Sequence, residues 1–322
     1  MLPKKINERK VKLQFENSII SGPKGVGKTF LVFNFLENFK GRYKYLDFAD
    51  YREKNLDFDG YDLAILDNFD FSIDIPPITT FIITSKFTKI DGFKNVTLKA
   101  LDFEEFFAFD NSQNIMHSFD KFLKTGNFPK SVFMLEDYFK EEYLKEQFEL
   151  MPFNKEILKF YFSHIGEKFT LYQIYQILKK HIKISKDSFY KTTAELVENG
   201  IIYEVDKFDS PKSPKKFYSY NFAFKNILTN KKNILLTFEN IVFLELSDKN
   251  VYYKDSLSFY IPEKELGIMV LPFANEEVLE EKLKKVKDVK KVQVITISNE
   301  FDFEWKNFEV EVIPFWQWGF AE

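Results

Sequence analysis

Short apolar runs bounded by turn-forming residues recur through the first hundred residues. The first run ends at Ile19 and Ile20, and after a glycine-rich stretch the apolar residues return at helical spacing over residues 30–36. Further strand-like runs follow in YKYLDFAD, LAIL and TTFIITSKF. The alternation over residues 13–100 predicts an α/β fold in which helices cover a parallel sheet.

Residues 154–225 follow a different order. Three stretches have helical spacing, Thr170 and Ser185 are placed as N-caps of the second and third, and Gly200 is placed to end the third. The segments IIYEVDKF and KKFYSYNF then resemble two strands around the turn DSPKSP. Three helices followed by a hairpin predict a winged helix-turn-helix.

The last hundred residues are rich in strand-like segments. These are VYYKDSLSFYI, LGIMVLPF, KKVQVITIS and FEVEVIPFW, with a charged helical segment, EEVLEEKLKKVKD, before the third. The pattern predicts a second, small α/β unit.

Composition limits the class of protein. The 322 residues are 45% hydrophobic and 30% charged, and no apolar run approaches the roughly 18 residues that a membrane-spanning helix needs. The basic N-terminus is not followed by the apolar segment of a secretory signal. The absence of cysteine excludes disulfides and cysteine nucleophiles, so we expect a cytoplasmic protein without membrane contact.

Charge is distributed unevenly along the chain. The formal net charge is −3, yet residues 154–234 contain fifteen lysines and eight acidic residues, so this segment carries +7 and the remainder −10. A basic segment favours contact with duplex DNA, and the alternative is a protein-docking module whose lysines form a solvated face. The residues expected to meet DNA are Lys186, Tyr190 and Lys191 on the third helix and Lys212, Lys215 and Lys216 on the hairpin.

Residues 22–29 read GPKGVGKT between a predicted strand and a predicted helix. The glycines allow backbone N–H groups to turn towards phosphate oxygens, Lys28 reaches the terminal phosphates, and the hydroxyl of Thr29 can bind Mg²⁺. The sequence therefore predicts a site for ATP with Mg²⁺. Its predicted nucleotide-contacting residues are Gly22, Pro23, Lys24, Gly25, Val26, Gly27, Lys28, Thr29 and Phe30.

Two strand ends complete the predicted site. Asp67 ends the LAIL run, where it can hold the Mg²⁺ shell, and Asn68 follows it. Thr84 and Ser85 end the next run, where they either contact the γ-phosphate or simply terminate the strand. Because parallel strands end at one edge of a sheet, these side chains are expected to converge. The predicted catalytic residues are Lys28, Asp67, Asn68 and Thr84, and the predicted Mg²⁺ ligands are Thr29 and Asp67.

The order of these motifs resembles that of a bacterial and archaeal group of AAA+-like P-loop ATPases. GPKGVGKT, YLDFAD, LAILD and FIITS are followed by LKALDFEEFFAF and GNFPKSV, as in that family. The resemblance spans essentially the whole chain. It implies a P-loop domain over residues 1–110, a helical lid over 111–152, a winged helix over 153–225 and a PD-(D/E)xK nuclease-like domain over 226–322.

The chain departs from the family at positions where the family has its catalytic residues. Asn68 stands where the family has a glutamate that polarises the attacking water, Lys94 stands where an arginine is common, and the chain has only three arginines. In the nuclease-like part, Ser258 takes the place of an aspartate, and GIMVLPF offers apolar side chains in place of Glu-x-Lys. We therefore expect that part to be an inactive relic used for packing or partner contact.

These departures favour a Mg²⁺-dependent ATPase with slow or partner-dependent hydrolysis, coupled to a winged helix that binds DNA or protein. Asp47 and Asp70 can replace the missing glutamate only if the fold brings them to the γ-phosphate. The alternative is a non-catalytic nucleotide sensor or scaffold. Besides ATP or ADP and duplex DNA, the candidate partners are another protein and a second copy of the chain.

Overall fold

The computed structural model describes residues 7–52, 54–230 and 233–321. A five-stranded sheet is built from β1 Ser18–Ser21, β2 Tyr43–Asp47, β3 Leu63–Asp67, β4 Thr79–Ile83 and β5 Lys94–Thr97. The strands lie in the order β2-β3-β4-β1-β5, and every neighbouring pair is parallel. The prediction of a parallel sheet in an α/β protein is confirmed.

The two faces of this sheet are covered differently. Helix α1 (Lys28–Leu36) packs on the face that carries Ile20 and Ile65, together with helices from later in the chain. The other face, with Ile19 and Leu66, is covered by apolar side chains of the connecting loops, which are Phe48, Phe58, Phe69, Ile73, Ile75, Ile90 and Phe93.

The prediction that strands and helices alternate over residues 13–100 is wrong for this second face. The described residues of the connections 48–62, 68–78 and 84–93 form no helix. Phenylalanine and isoleucine side chains in these loops supply the apolar surface that crossover helices usually supply to a parallel sheet.

Four helices follow the sheet: α2 Phe103–Asp110, α3 Ile115–Thr125, α4 Pro129–Val132 and α5 Asp137–Glu149. Asp102 and Asn114 begin α2 and α3, because each side chain accepts a hydrogen bond from a backbone N–H of the first turn. The turn 126–129 joins α3 to α4. It is tied to the exit of the sheet, since the Leu101 N–H donates to the Asn127 carbonyl at 3.0 Å.

The middle of the chain contains three helices and a small sheet. The elements are α6 Lys155–Ser163, β6 Lys168–Phe169, α7 Leu171–Leu178, α8 Lys186–Glu198, β7 Ile202–Val205 and β8 Lys215–Ser219. Thr170 and Ser185 cap α7 and α8, and Gly200 has a φ of 65° just beyond α8, as predicted. The strands are antiparallel in the order β6-β8-β7, so the predicted hairpin gains a short third strand.

A second five-stranded sheet forms the last part of the chain. Its elements and their flanking helices are α9 Phe224–Leu228, α10 Ile234–Leu246, β9 Tyr252–Lys254, β10 Leu257–Ile261, β11 Leu266–Val270, α11 Glu276–Leu283, β12 Lys291–Thr296, β13 Glu309–Pro314 and α12 Phe315–Ala321. The order is β13-β12-β11-β10-β9, parallel from β11 to β13 and antiparallel from β9 to β11. VYYKDSLSFYI therefore forms two strands and not one.

The apolar cores cross the predicted domain limits. One core joins Ile20 of the first sheet to Phe128 before α4 and Phe162 of α6. A second joins Phe103 of α2 to Phe238 of α10. Segments that are distant in sequence thus bury one another. None of the helices in the described ranges has the length and apolar character needed to cross a bilayer.

Candidate functional site

The glycine-rich loop 22–27 joins β1 to α1 and is closely packed. Gly22 has a φ of 143°, and a Cβ there would lie 2.2 Å from the Leu98 carbonyl oxygen. Gly25 has a φ of 84°, and a Cβ there would lie 2.9 Å from the Phe128 ring. Both positions therefore require glycine, for conformation and for space.

The N-terminus of α1 faces this loop without a side-chain cap. Gly27 is the N-cap residue and has no side chain to accept a hydrogen bond. The backbone N–H groups of Lys28, Thr29 and Phe30 have no acceptor among the described residues. Unpaired N–H groups and the positive end of the helix dipole favour an anion at this position.

Lys28 begins α1, and its side chain folds back over the loop. The ammonium donates to the carbonyl oxygens of Gly22 at 2.7 Å and Pro23 at 2.8 Å, and it lies 3.4 Å from the Ser85 hydroxyl. The residue is 9% exposed. Burial lowers its pKa to about 8, although the nearby Asp67 acts in the opposite direction. An anion bound here would stabilise the charged form of this desolvated ammonium.

Asp67 is buried at the end of β3, beside the start of α1. Its Oδ2 accepts hydrogen bonds from the hydroxyls of Thr29 at 2.7 Å and Tyr45 at 2.6 Å. Its Oδ1 accepts from the Asn68 N–H at 2.8 Å. Burial, followed by the hydrogen bond to Asp67, raises the pKa of Tyr45. The structure thus brings together the two predicted Mg²⁺ ligands and adds a tyrosine that holds one of them.

The donor set of Thr29 and Asp67 fits Mg²⁺ that arrives with a nucleotide. Mg²⁺ commonly takes one or two protein oxygens and completes its shell with phosphates and water. No group of three or more His, Asp or Glu side chains that could hold a metal by itself occurs within the described residues. A metal at this edge of the sheet would therefore depend on the nucleotide for further ligands.

Asn68 follows Asp67 in a left-handed conformation, with a φ of 52°. Its side-chain amide donates to Asp47 Oδ1 at 2.9 Å. Asp47 ends β2 and is the register partner of Asp67 in β3. The amide of Asn68 is therefore turned towards the neighbouring strand and its carboxylate.

Thr84 and Ser85 follow β4 at the same edge. Thr84 is buried, its N–H donates to the Ile20 carbonyl at 3.0 Å, and its hydroxyl accepts from the Lys86 N–H at 3.1 Å. Ser85 is the residue whose hydroxyl faces the Lys28 ammonium. Of the predicted pair, Ser85 is therefore nearer the loop chemistry, and the contacts of Thr84 are those of a strand terminus.

Two side chains that are distant in sequence from the loop donate hydrogen bonds to its carbonyl groups, and neither contact was predicted. Arg9 is buried, donates to the Val26 carbonyl at 2.8 Å, and forms a two-pronged pair with Glu105 of α2 at 2.8 and 2.9 Å. Tyr220, beyond β8, donates from its hydroxyl to the Lys24 carbonyl at 3.3 Å. Because the chain has only three arginines, Arg9 could have been singled out from the sequence. No local sequence pattern distinguishes Tyr220.

Two further predicted nucleotide contacts, Val26 and Phe30, differ in exposure. Val26 is fully buried, and Phe30 on α1 is 53% exposed.

Lys94, which stands where the family commonly has an arginine, lies far from the loop. It pairs with Glu16 at 2.7 Å at the start of β5, beside the start of β1. Because the loop follows the other end of β1, Lys94 is remote from the loop of its own chain and cannot replace an arginine there.

The predicted DNA-contacting lysines separate into two groups. Lys186 and Lys191 of α8 are exposed, and Lys186 lies over the ring of Tyr190, 5.6 Å from its centroid. Three further exposed lysines stand at the end of α7 and in the turn before α8: Lys179, Lys180 and Lys183. We name Lys179, Lys180, Lys183, Lys186 and Lys191 the α7–α8 lysine surface.

Lys215 and Lys216, which were predicted to contact phosphates, lie among carboxylates. Lys216 is buried and pairs with Glu239 of α10 at 2.8 Å. Lys215 pairs with Glu204 at 2.6 Å and with Asp206 at 3.3 Å. Both ammonium groups therefore already have carboxylate partners.

The tip of the β7–β8 hairpin is docked on the second sheet. The Phe208 N–H donates to the Tyr253 carbonyl at 2.9 Å, and the Phe208 ring packs on Tyr260 at a centroid distance of 4.7 Å. Lys212 stays exposed on this tip. The hairpin is thus held by the C-terminal part of the chain.

Ser258 of β10 lies beside the buried Glu239 of α10. Glu239 Oε2 accepts from the Ser258 hydroxyl at 3.0 Å, and Oε1 accepts from Lys216 at 2.8 Å and from the Tyr218 hydroxyl at 2.7 Å. This single carboxylate is fully hydrogen-bonded by protein groups. It forms a structural junction between the small sheet and the C-terminal part.

Comparison with known proteins gives little functional information. No family model matches the chain. It is similar to the uncharacterized protein MJ1544 of Methanocaldococcus jannaschii, at 23% identity over 94% of this chain and 87% of that protein. The function must therefore be argued from the site.

Proposed function

We propose that the protein is an AAA+-like P-loop ATPase that binds Mg²⁺-ATP at the loop 22–29. The observation that carries the proposal is the Thr29 hydroxyl 2.7 Å from Asp67 Oδ2, beside the buried Lys28 ammonium. A glycine-rich loop, a lysine, a hydroxyl and a strand-end carboxylate are the parts from which such proteins hold β- and γ-phosphates and Mg²⁺.

The proposed division of labour follows from these contacts. The N–H groups at the start of α1 and the Lys28 ammonium bind phosphate oxygens. Thr29 and Asp67 hold the Mg²⁺ that neutralises charge on those phosphates, and Tyr45 fixes the orientation of Asp67. When a nucleotide binds, the Lys28 ammonium exchanges its hydrogen bonds to the loop carbonyls for hydrogen bonds to phosphate oxygens.

We propose that hydrolysis is slow or depends on a partner. Asn68 offers an amide where a carboxylate would polarise water, and the three arginines of the chain include the fully paired Arg9. We propose that an arginine that stabilises transition-state charge comes from another copy or another protein.

The second candidate function is a nucleotide sensor that does not turn over ATP. It is favoured by the contact between the Tyr220 hydroxyl and the Lys24 carbonyl, which joins the loop to the segment beyond β8. In either function the middle segment is proposed to be a winged helix that uses the α7–α8 lysine surface to contact the phosphates of duplex DNA.

Phosphate release by the purified full chain with Mg²⁺-ATP tests the first function. The matched variant is Lys28→Ala, which removes the phosphate-binding ammonium and is expected to abolish nucleotide binding and turnover. Turnover in the wild type that disappears in this variant supports the ATPase. Nucleotide binding without phosphate release, with or without duplex DNA, selects the sensor, and absence of binding contradicts both.

A further inference from the structure

We propose that Asp47 is the proton acceptor for ATP hydrolysis in place of the missing glutamate, and that Asn68 is its positioning residue. This inference rests on the proposed function, because it needs Mg²⁺-ATP at the loop 22–29. It assigns the role to a carboxylate on the strand next to the one that ends in Asp67.

The sheet brings Asp47 to the edge where the loop lies. β2 and β3 are parallel, Asp47 and Asp67 are register partners, and the Phe48 N–H donates to the Asp67 carbonyl at 2.9 Å. The ends of two neighbouring parallel strands point to one edge of a sheet. Asp47 and the candidate Mg²⁺ ligand Asp67 therefore end side by side.

The carboxylate of Asp47 has one fixed oxygen and one free oxygen. Oδ1 accepts from the Asn68 amide at 2.9 Å and from the Ala49 N–H at 2.9 Å. Within the described part of the chain, Oδ2 has no hydrogen-bond partner. Two donors on Oδ1 hold the group in place, so that Oδ2 can accept a hydrogen bond from a water molecule.

The backbone at Asn68 explains how an amide can serve here. Its φ of 52° is a left-handed conformation that asparagine adopts more readily than most residues. An amide cannot take the proton, yet it can donate a hydrogen bond to a carboxylate that does. Asn68 thus links the position next to Asp67 with Asp47.

Asp70 does not have this placement. Its Oδ1 accepts from the Ser72 N–H at 3.0 Å in a local turn, and the residue is exposed in the connection after β3. Among the described residues, no hydrogen bond joins its side chain to Asn68 or Asp67. Of the two alternative carboxylates, the structure favours Asp47.

The proposed step is balanced as an ordinary hydrolysis. The oxygen of water forms a bond to the γ-phosphorus as the bond from that phosphorus to the β–γ bridging oxygen breaks. ADP leaves with the electron pair of the broken bond. Asp47 takes the proton from the attacking water and releases it to solvent, and the products are ADP and inorganic phosphate.

The test compares Asp47→Asn with Asp70→Asn in the full chain. Phosphate release from Mg²⁺-ATP should fall roughly 100- to 10,000-fold in Asp47→Asn, the range typical of a lost general base, and stay unchanged in Asp70→Asn. Calorimetric titration supplies a readout that does not depend on turnover. Loss of a negative charge near the γ-phosphate should tighten Mg²⁺-ATP binding about three- to tenfold and leave Mg²⁺-ADP binding unchanged.

The possible failures can be told apart. Wild-type turnover that persists in Asp47→Asn, while Lys28→Ala is inactive, overturns this inference and leaves the proposed ATPase intact. Absence of turnover in the wild type, or turnover that survives Lys28→Ala, overturns both.

Asn68→Gly provides a second variant in case Asp47→Asn does not fold. Glycine keeps the left-handed backbone and removes only the amide that holds Asp47. The expected result is a lower kcat with unchanged KM, and a smaller loss than in Asp47→Asn. An unchanged kcat in a folded Asn68→Gly protein overturns the positioning role and with it the proposal.

Discussion

At the scale of single residues, the main feature of the site is the buried ammonium of Lys28, whose hydrogen-bond partners are all neutral. Lys28 is 9% exposed, and its hydrogen-bond acceptors are the Gly22 and Pro23 carbonyls and the Ser85 hydroxyl. Carbonyl dipoles replace only part of the hydration that a positive charge loses on burial. Burial of the Lys28 ammonium therefore costs stability.

This cost predicts a pH dependence of folding. The pKa of Lys28 falls from 10.5 to about 8, so between these values the unfolded chain binds more protons than the folded protein. The penalty is complete below pH 8 and is relieved as the pH rises to 10.5, by about 3 kcal/mol in total. Denaturant unfolding from pH 7 to 10.5 should show wild-type stability rising relative to Lys28→Met. A constant difference would contradict it.

Among single residues, the sequence identified those that a local motif or a strand end specifies. It missed those that folding brings to the site from distant parts of the chain. The convergence of Lys28, Thr29 and Asp67 could be predicted because a motif and a strand end specify it. The Tyr45 hydroxyl on Asp67 comes from a neighbouring strand, and sequence alone does not give strand order. Arg9 meets Glu105 across a separation of 96 residues, which no spacing rule covers.

Between elements, the pair of Arg9 and Glu105 links the segment before β1 to helix α2. Both side chains are 7% exposed, and Arg9 also donates to the carbonyls of Val26 and Lys99. A two-pronged arginine–carboxylate pair fixes direction as well as distance. The glycine-rich loop is thereby held at a set position relative to α2.

Removing only the arginine should be strongly destabilising. Arg9→Met leaves the Glu105 carboxylate buried and without its partner, at an expected cost of about 3 to 5 kcal/mol in the free energy of unfolding. The control is Lys10→Met, whose exposed pair with Asp102 should contribute roughly 1 kcal/mol or less. Guanidinium unfolding measures both. Equal effects would show that Arg9 is not a buried structural partner.

The elements themselves were largely predictable where a period was clear. The caps Thr170 and Ser185 and the strand-like runs lie where the sequence indicated them. Beyond α1, the described residues of 13–100 form none of the expected crossover helices, since loop side chains such as Phe48 and Phe58 cover the other face of the sheet without a helical period. Packing of that kind is visible only in three dimensions.

For the whole molecule, the proposed contact with DNA rests on how charge is distributed over the basic middle segment. The lysines of the hairpin strand β8 are neutralised by Glu204, Asp206 and Glu239, whereas the α7–α8 lysine surface remains exposed. An exposed lysine surface carried by a helix pair suits a phosphate backbone more than specific bases, for which asparagine and arginine are the usual side chains.

Replacement of Lys180 and Lys183 by glutamine should weaken binding to duplex DNA. Each lost phosphate contact should lower the slope of log affinity against log salt by roughly one unit. Lys215→Gln is the matched control and should change neither affinity nor slope, because its ammonium already has carboxylate partners. Fluorescence anisotropy at several salt concentrations measures both quantities. Absence of binding at low salt would favour the protein-docking alternative.

Because the apolar cores are shared between distant segments, they also determine whether fragments of the protein can be studied in isolation. A fragment that stopped at residue 152 would uncover Phe128 where Tyr220 and Phe224 now pack, and one that began at residue 226 would uncover Phe238 where Phe119 now packs. Such newly exposed aromatic surfaces drive aggregation. Recombinant work on the glycine-rich loop therefore requires the intact polypeptide, and a short fragment that carries GPKGVGKT is an unsuitable substitute.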